Sequence, residues 1–268
     1  MNFMQKSETD LSAAFIQNGY IIKPSENRSS LDKIRNKTVD LATIFLGVPT
    51  PTETGEFLDK IASVVPVEKL NSFRLHIISG LMAETWFREA YFSCARCLVE
   101  TIVGNELVMQ RNIGLSIQLP GDDSSLLPLH SDSWGSECSP FEVVLWIPLV
   151  DCYRTKSMFI LPPDADSKWR KKVHKFAEIG TESLYQAIEP EIEWLEVPYG
   201  NVVLFTPTIM HGNRLNQEST TRWSMNIRFK GLFTPYSDKR LGEYFAPIAV
   251  RPASKIGMKF TMPGGFNE

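Results

Sequence analysis

The sequence has few cysteines and no long apolar segment. It contains four cysteines in 268 residues, which is too few for the disulfide framework of a small secreted domain. No stretch approaches the ~20 consecutive apolar residues that a membrane span needs. The N-terminus, MNFMQKSETD, is polar and lacks the apolar core of a signal peptide. We therefore expect a cytoplasmic protein that does not associate with membranes.

An excess of charge of one sign is also lacking. The chain has 28 Lys and Arg against 31 Asp and Glu, a formal net charge of −3. A general nucleic-acid binder normally carries a basic excess, so we expect no nucleic-acid partner. Hydrophobic residues make up 43% of the chain, with 16 Phe, 7 Tyr and 6 Trp, and such a composition argues against disorder. These numbers leave a globular enzyme or a binding protein.

The four cysteines are not spaced as metal ligands or redox pairs usually are. Cys94 and Cys97 form a C-x-x-C, but they lie in AYFSCARCLVETIV, a pattern typical of a buried helix. Cys138 and Cys152 are not paired at ligand spacing. We interpret all four as core residues, because free cysteine often packs as a small hydrophobic residue; a metal or redox role is the alternative.

The first part of the chain has a helical pattern. A short helix, LSAAFIQ, precedes an apolar strand that stops at Pro24. Ser30 is a candidate N-cap for the next helix and Gly47 its stop signal. Helical spacing resumes from about residue 53 and continues to 105. We therefore expect residues 1–105 to form a mostly helical flank.

After residue 106 the hydrophobic period changes. Short apolar or alternating runs are separated by clusters of Pro, Gly, Asp and Asn, which predicts an all-β barrel or sandwich. One helical interruption covers about 166–188. Because no repeat or linker is evident, we expect a single domain over 1–268, with a β core at 106–233 and a C-terminal extension at 234–268.

The four histidines are more informative than their number suggests. His130 and Asp132 stand at i and i+2 at the end of LLPLHSD. On an extended strand such side chains point the same way, so an imidazole and a carboxylate could bind one metal ion. Alone, H-x-D is a weak signal, and a surface His–Asp pair explains it equally well.

His211 strengthens the metal-site hypothesis. It ends a second apolar run, GNVVLFTPTIMHGN. Two histidines and one carboxylate are the ligands of the facial triad that holds non-haem Fe(II) and leaves positions open for substrate and oxygen. His76 and His174 lie in predicted helices without such partners, so we interpret them as ordinary residues.

A third polar pattern lies in TRWSMNIRFKG. Alternation predicts one polar face and one apolar face; the polar positions are Arg222, Ser224, Asn226 and Arg228. This face either meets water or lines a cavity inside the barrel. In a cavity, Arg222 and Ser224 could together hold a carboxylate. Arg228 lies about 20 Å further along the strand, too far to share a small diacid, so it is structural or meets an anionic substrate.

The ordered set of motifs resembles the Fe(II)/2-oxoglutarate-dependent oxygenases of the phytanoyl-CoA dioxygenase-like branch. The set comprises His130-x-Asp132, His211 eleven residues before Arg222, and Arg222-x-Ser224. The F-x-x-x-G-Y-I-I motif that starts at Phe15 and the strand LWIPL fit the same pattern. The segment LSIQLPGDDSSLLPLHSD most resembles oxygenases of sporadic carbohydrate-biosynthesis clusters, related to an aminocyclitol-antibiotic group. The resemblance covers roughly residues 10–232.

The resemblance implies a mainly β fold with a helical flank, namely a double-stranded β-helix (a cupin-like jelly roll). It implies Fe(II) on His130, Asp132 and His211, with 2-oxoglutarate anchored by Arg222 and Ser224 and O₂ as co-substrate. Related halogenases have Gly or Ala in place of the metal-binding carboxylate, so Asp132 favours hydroxylation; desaturation or epimerisation stays open. The family's Pro-Gly-Ser-His after the fourth strand is replaced here by Pro162–Pro163–Asp164, so substrate contacts there cannot be carried over.

Several further residues are candidates for the same cavity. Gln118, on the strand before H-x-D, could reach the cosubstrate or the substrate. Lys156 is an alternative carboxylate partner to Arg222, because some relatives use a lysine from that strand. Trp134 and Trp146 could line a sugar-sized pocket or pack in the core. A basic run in the predicted helical insert is either a solvated face or a site for a phosphate-bearing substrate; it comprises Lys168, Arg170, Lys171, Lys172 and Lys175.

The sequence thus favours an oxygenase that hydroxylates a small molecule, with a carbohydrate or aminocyclitol-type biosynthetic intermediate as the expected substrate. A desaturase or epimerase with the same cofactors is one alternative. A non-catalytic barrel that binds a metal, most naturally Zn²⁺, and a small ligand is another. A peptidyl hydroxylase ranks below these, because no peptide groove is evident. The sequence leaves the oligomeric state open.

Overall fold

Helices occupy most of the first hundred residues, as their hydrophobic spacing predicts. The computed structural model describes residues 3–261. In the flank, a strand β1 (Tyr20–Pro24) lies between the first two of the helices, which are α1 (Lys6–Asn18), α2 (Arg28–Leu46), α3 (Thr54–Asp59), α4 (Val67–Ala83), α5 (Phe87–Ser93) and α6 (Arg96–Val103).

Helix α2 begins earlier than Ser30, the predicted cap. Its N-cap is Asn27, whose side-chain oxygen accepts a hydrogen bond from the backbone N–H of Ser30 at 3.1 Å. That bond satisfies an amide of the first turn that has no partner within the helix, so Ser30 lies inside the helix. The predicted stop at Gly47 is correct, because this glycine adopts the left-handed conformation with φ 67°.

The segment around the C-x-x-C is two helices rather than one. Helix α5 ends before Cys94, and the Glu26 carboxylate accepts the backbone N–H groups of Cys97 and Leu98 at 2.8 and 2.9 Å. This distant carboxylate caps the start of α6 and places Cys97 on its exposed first turn. The prediction of a core position was therefore wrong for Cys97; the other three cysteines are buried, and all four are free.

The short apolar runs after residue 106 form the predicted strands. Their bounds are β2 (Leu107–Gln110), β3 (Gly114–Gln118), β4 (Glu142–Pro148), β5 (Phe159–Ile160), β6 (Glu193–Trp194), β7 (Asn201–Phe205), β8 (His211–Gly212), β9 (Arg222–Gly231) and β10 (Phe245–Ala249). The main sheet has the order β1-β7-β4-β9-β2-β10, with β3 also paired to β9, and a smaller sheet has the order β6-β5-β8. The paired strands run antiparallel. This mainly β architecture with a helical flank is the predicted jelly roll.

The helical insert is more broken than its periodicity predicts. It consists of α7 (Pro163–Arg170), a 3-10 turn at Val173–Phe176 and α8 (Thr181–Ile188). Gly180, with φ 92°, precedes α8, and such a conformation interrupts a helix because it lies outside the right-handed region. After the β core, the chain adds β10 to the edge of the main sheet and ends its described part with α9 (Pro252–Gly257).

The flank and the main sheet share one hydrophobic cluster. Trp223 of β9 is fully buried, packs edge-on against Phe73 of α4 at 5.9 Å between ring centroids, and donates its indole N–H to the Leu58 carbonyl oxygen at 2.8 Å. Tyr91 of α5 donates its hydroxyl to the Leu145 carbonyl of β4 at 2.8 Å. These contacts accord with the one-domain interpretation, which stays a prediction. Among residues 3–261, no helix is both long and apolar enough to cross a bilayer.

Candidate metal and cosubstrate site

His130, Asp132 and His211 lie close together beside strand β8. His130 and His211 form an antiparallel bridge in which each backbone N–H donates to the other's carbonyl oxygen, at 2.9 and 2.8 Å. His130 Nε2 lies 3.6 Å from Asp132 Oδ1, and His211 Nε2 lies 3.8 Å from Asp132 Oδ2. One candidate ligand atom from each residue lies within 4.8 Å of the other two. His130 and His211 are 81 positions apart in the sequence, yet they meet at one point with Asp132.

The expected extended strand through H-x-D is only partly present. His130 makes the single bridge to His211, and Asp132 already belongs to the following turn. The hydroxyl of Ser131 donates to the carbonyl oxygens of Pro207 and Thr208, at 3.2 and 3.0 Å. This hydroxyl ties the turn to the loop before β8, so the carboxylate reaches the imidazoles from a turn rather than from strand alternation.

Backbone carbonyl groups orient both imidazoles. His130 Nδ1 lies 2.7 Å from the Pro128 carbonyl oxygen, and His211 Nδ1 lies 2.9 Å from that of Ile209. A carbonyl can only accept, so each Nδ1 carries the proton, and each neutral ring then has its lone pair on Nε2. Fixing the tautomer through the second ring nitrogen is the usual arrangement of metal-binding histidines.

The site holds its carboxylate ionised and one imidazole neutral. Burial alone would raise the pKa of Asp132, but the nearby His130 imidazole and the charge of Arg228 outweigh it and hold the pKa well below its usual range. Burial, reinforced by the charge of His130, lowers the pKa of His211 to about 4. Burial would also lower the pKa of His130, yet the neighbouring Asp132 carboxylate raises it overall. Metal ligation needs the ionised carboxylate and neutral imidazoles.

These three residues line a cavity of about 190 Å³ between the two sheets. The polar face of β9 lines the same cavity, so its polar residues do not form a water-exposed surface. The lining residues are Ser116, Leu127, His130, Asp132, Val144, Trp146, Met158, Phe205, His211, Gly212, Asn213, Arg222, Ser224, Asn226 and Arg228.

Arg222 is a buried cation with room for an anionic ligand. It is 2% exposed; its Nη1 donates to the Ser157 carbonyl at 3.0 Å and its Nη2 to Ser116 Oγ at 2.8 Å. Its Nε, like Ser224 Oγ, has no hydrogen-bond partner among the residues that the structure describes. Burial lowers the pKa of Arg222 to about 10, still far above neutrality. A buried charge without a counter-ion is costly, so this end of the cavity fits a carboxylate.

The structure separates Lys156 and Gln118 from the cavity wall. Lys156 is buried and its Nζ pairs with Asp59 at 2.6 Å, so it is not free to take the place of Arg222. Gln118 lies directly opposite Arg222 on β3 and is fully buried, but its Nε2 donates to the Arg214 carbonyl. Neither lines the cavity. Contact between Gln118 and a cosubstrate therefore stays a prediction.

The two tryptophans have different positions. Trp146 is buried and lines the cavity, whereas Trp134 is 40% exposed and lies outside the lining. The basic residues of the insert are exposed or half-buried and also lie outside it; Lys168, for example, pairs with Glu191 at 2.8 Å. A solvated face explains that run. His76 and His174 lie away from the cavity as well.

Asn213 is a cavity residue that sequence reasoning missed. Its Oδ1 accepts the backbone N–H of Leu127 at 2.6 Å, and it is 2% exposed. Because that bond fixes the amide orientation, Nδ2 must be the free group, and it has no partner within residues 3–261. Its position two residues after His211 could have indicated this, because side chains at i and i+2 of a strand point to the same face.

Asn226 also faces the cavity, as the alternation of β9 predicts. Its register partner across the sheet is Gly114, and a Cβ at that glycine would lie 2.4 Å from Asn226 Oδ1. The missing side chain at position 114 therefore leaves the room in which the Asn226 amide lies. A glycine inside a strand often marks such a close approach.

The donor set fits a divalent ion together with an anionic small molecule. Two imidazole Nε2 atoms and one carboxylate match the facial triad of non-haem iron, which leaves further coordination positions open. The unpartnered donors at Arg222, Ser224 and Asn213 lie on the wall of the same cavity. A metal ion and a carboxylate ligand would satisfy groups that are otherwise buried without partners.

Comparison of the sequence with protein-family models and with curated proteins gives no match. Comparison of the structure gives many. A nickel complex of the non-haem monooxygenase ThoJ aligns with a TM-score of 0.57 at 13% identity, covering 91% of this chain and 86% of that one. EctD from S. alaskensis, solved with 2-oxoglutarate and 5-hydroxyectoine, aligns with a TM-score of 0.55 at 15% identity, covering 86% and 79%.

A third structure extends the same comparison. HygX from Streptomyces hygroscopicus, solved with nickel, 2-oxoglutarate and hygromycin B bound, aligns with a TM-score of 0.51 at 13% identity, covering 89% of this chain and 91% of that one. At such identities the likeness concerns the fold, and it confirms the jelly roll that the resemblance implied. The chain has the fold of the non-haem, 2-oxoglutarate-dependent oxygenases.

Proposed function

We propose that the protein is an Fe(II)- and 2-oxoglutarate-dependent oxygenase that hydroxylates a small molecule. The observation that carries this proposal is one cavity with two different ends. At one end are His130, Asp132 and His211, and at the other the buried guanidinium of Arg222, which has no counter-ion among residues 3–261. A metal ion would bind the three ligands at one end, and a dicarboxylate would neutralise Arg222 at the other. Packing of the fold alone requires neither group in a cavity.

Each residue has a separate task in this proposal. His130, Asp132 and His211 hold the ion. Arg222 and Ser224 hold the far carboxylate of 2-oxoglutarate through a charge-assisted hydrogen bond and a hydroxyl. When bound, Fe(II) with 2-oxoglutarate and O₂ supplies the oxidising power for attack on an unactivated C–H bond, with succinate and CO₂ as co-products. The apolar wall around Trp146 and Phe205 excludes water from that reaction.

A carbohydrate or aminocyclitol-type intermediate is the substrate class that we propose. The resemblance of residues 115–132 to carbohydrate-cluster oxygenases supports it, and HygX, which shares the fold, was solved with hygromycin B. Hydroxylation is favoured over halogenation because Asp132 supplies a carboxylate at the third ligand position. Desaturation and epimerisation are alternative outcomes of the same chemistry, since they depend on where the substrate lies.

Anaerobic spectroscopy tests the cofactor assignment. Adding Fe(II) and 2-oxoglutarate to the metal-free protein should produce a weak visible charge-transfer band, which needs both components. His211→Ala should lose the band through loss of the metal, and Arg222→Met through loss of the cosubstrate. Arg96→Met is the matched control, because this exposed arginine pairs with Glu100 at the surface of α6. No band with the wild-type protein would contradict the proposal.

Turnover tests the reaction. Succinate release should be measured across free sugars, nucleotide sugars, aminocyclitols and acyl-CoA thioesters, with mass analysis of the product. A gain of one oxygen atom indicates hydroxylation, a loss of two hydrogens desaturation, and an unchanged mass epimerisation. Tightly retained Zn²⁺, with no charge-transfer band and no succinate release, would instead support a non-catalytic metal-binding barrel.

A further inference from the structure

Arg228 contacts one of the proposed metal ligands directly. Its Nη2 lies 2.8 Å from Asp132 Oδ2, and both side chains are largely buried, with exposures of 12% and 14%. The sequence left Arg228 either as a structural residue or as a partner for an anionic substrate. The contact with Asp132 provides a third role.

A second carboxylate holds the guanidinium from the other side. Arg228 Nη1 lies 3.4 Å from Oε2 of Glu142, whose side chain is fully buried. Glu142 is itself fixed, because its Oε1 accepts the backbone N–H of Ser139 at 2.9 Å. The guanidinium thus lies between two buried carboxylates, and its positive charge is already compensated. Arg228 is therefore poorly suited to bind an anionic substrate.

The contact distinguishes the two oxygens of Asp132. Oδ2 is ion-paired with Arg228 at 2.8 Å and lies 3.8 Å from His211 Nε2, whereas Oδ1 lies 3.6 Å from His130 Nε2 and is not the oxygen that faces the guanidinium. A carboxylate that binds a metal through both oxygens occupies two coordination positions. A guanidinium that is ion-paired with one oxygen fixes the orientation of the carboxylate and leaves the other oxygen for the metal.

We propose that Arg228 is a positioning residue that restricts Asp132 to one coordination position of the metal, with Glu142 holding Arg228 in place. The inference rests on the proposed function and deepens it, because His130, His211 and a carboxylate bound through one oxygen leave three positions open. Bound 2-oxoglutarate and O₂ would need the positions that a carboxylate bound through both oxygens would otherwise reduce. Partners that orient a metal ligand in this way typically change metal affinity by about 10–100-fold when they are removed.

Metal affinity provides the first test, with Ni(II) as a probe that does not turn over. Arg228→Met removes the charge and the donors but keeps a side chain of similar length, so Asp132 loses the partner that orients it. We expect Ni(II) to bind about 10–100-fold more weakly. Arg228→Lys keeps a charge but cannot contact both carboxylates at once, so its affinity should lie between those of Arg228→Met and the wild type. Arg96→Met should bind Ni(II) like the wild type.

Rescue by formate separates positioning from a general structural role. Asp132→Ala should bind Ni(II) weakly, and added formate should restore part of the affinity because Arg228 can hold it at the vacated carboxylate position. The double variant Asp132→Ala/Arg228→Met should show no such restoration. Equal restoration in the single and the double variant would overturn the proposal.

The outcomes also separate this inference from the proposed function. If Arg228→Met and Arg228→Lys both bind Ni(II) with wild-type affinity, Arg228 does not position Asp132, although the oxygenase assignment stands. If Arg228→Met does not fold, wild-type affinity in Arg228→Lys alone overturns the inference. If the wild-type protein binds neither Ni(II) nor Fe(II), the proposed function itself fails.

Discussion

At the scale of single residues, the two buried arginines of β9 differ in whether a carboxylate compensates their charge. Arg228 lies between Asp132 and Glu142, and these carboxylates hold its guanidinium. Arg222 is more deeply buried, yet its described partners are the Ser157 carbonyl and the Ser116 hydroxyl, both neutral. Because an uncompensated buried cation is costly, Arg222 is the residue whose environment most needs a ligand.

Removing that cation should remove cosubstrate binding and leave the metal site intact. For Arg222→Met we expect 2-oxoglutarate affinity to fall about 10–150-fold, the equivalent of the ~1.5–3 kcal/mol of a hydrogen bond to a charged group. Calorimetric titration of 2-oxoglutarate into the Ni(II)-loaded protein measures it. Unchanged 2-oxoglutarate affinity, or an equal loss of Ni(II) affinity, would contradict the assignment of Arg222.

Asn213 should make a smaller contribution to the same affinity. Asn213→Asp replaces the free Nδ2 donor with an acceptor and keeps the shape and the bond from Leu127. We expect weaker 2-oxoglutarate binding, because a carboxylate ligand would lose a donor and meet a negative charge. The same titration applies, and Asn213→Asp with wild-type affinity for 2-oxoglutarate would remove Asn213 from the proposed anion site.

Metal affinity should depend on pH through His130. Protons compete with the metal for imidazole nitrogen. The pKa of His211 is lowered to about 4, so this ring stays neutral across the physiological range. The pKa of His130 is raised, so as the pH falls His130 takes up a proton first. Ni(II) affinity, measured from pH 8 to pH 5, should therefore fall as the pH decreases, and a flat profile would contradict this.

The sequence predicts part of this site, and the reason lies in which contacts are local. The spacing of His130, Asp132 and His211 and the alternation around Arg222 can be read along the chain. The partners of Arg228 cannot, because Asp132 and Glu142 reach it from a turn and from a different strand. Which carboxylate faces which arginine is set by the packing of the sheets.

At the scale of elements, β9 joins the cavity to the core. Its polar face lines the cavity, while Trp223, Met225 and the other apolar residues are fully buried on the opposite face. Alternation along a strand predicts both faces. It does not predict which face meets a helix; the contact of Trp223 with Phe73 depends on where α4 packs. The start of α6 escaped prediction for a similar reason, since its cap, the Glu26 carboxylate, acts across 71 residues.

Trp223 should be a major contributor to stability. Trp223→Ala removes a fully buried indole and its hydrogen bond to the Leu58 carbonyl, so we expect a loss of about 3–5 kcal/mol in the free energy of unfolding. Trp134→Ala is the matched control: its indole is 40% exposed, and we expect a change within about 0.5 kcal/mol. Urea denaturation measures both. Similar losses for the two variants would contradict the packing described for β9.

At the scale of the whole molecule, the cavity lies between the sheets, so occupying it should stabilise the folded chain. A ligand at 100 times its dissociation constant adds about 2.7 kcal/mol to the free energy of unfolding. For a chain of this size that raises the melting temperature by roughly 5–11 °C. Thermal denaturation with Ni(II) and 2-oxoglutarate should show the rise, and His211→Ala should abolish it. A rise of equal size in His211→Ala would mean that the ligands bind elsewhere.

The alternation of β9 has a consequence for how this protein can change during evolution. Substitutions on the polar face can alter what the cavity binds without touching the side chains that pack against the helices. Insertion or deletion of one residue would exchange the two faces, turning both arginines into the core and the aromatic rings toward the cavity. Substitutions along this strand can therefore change ligand specificity. Insertions and deletions within the strand should be rare among functional homologues.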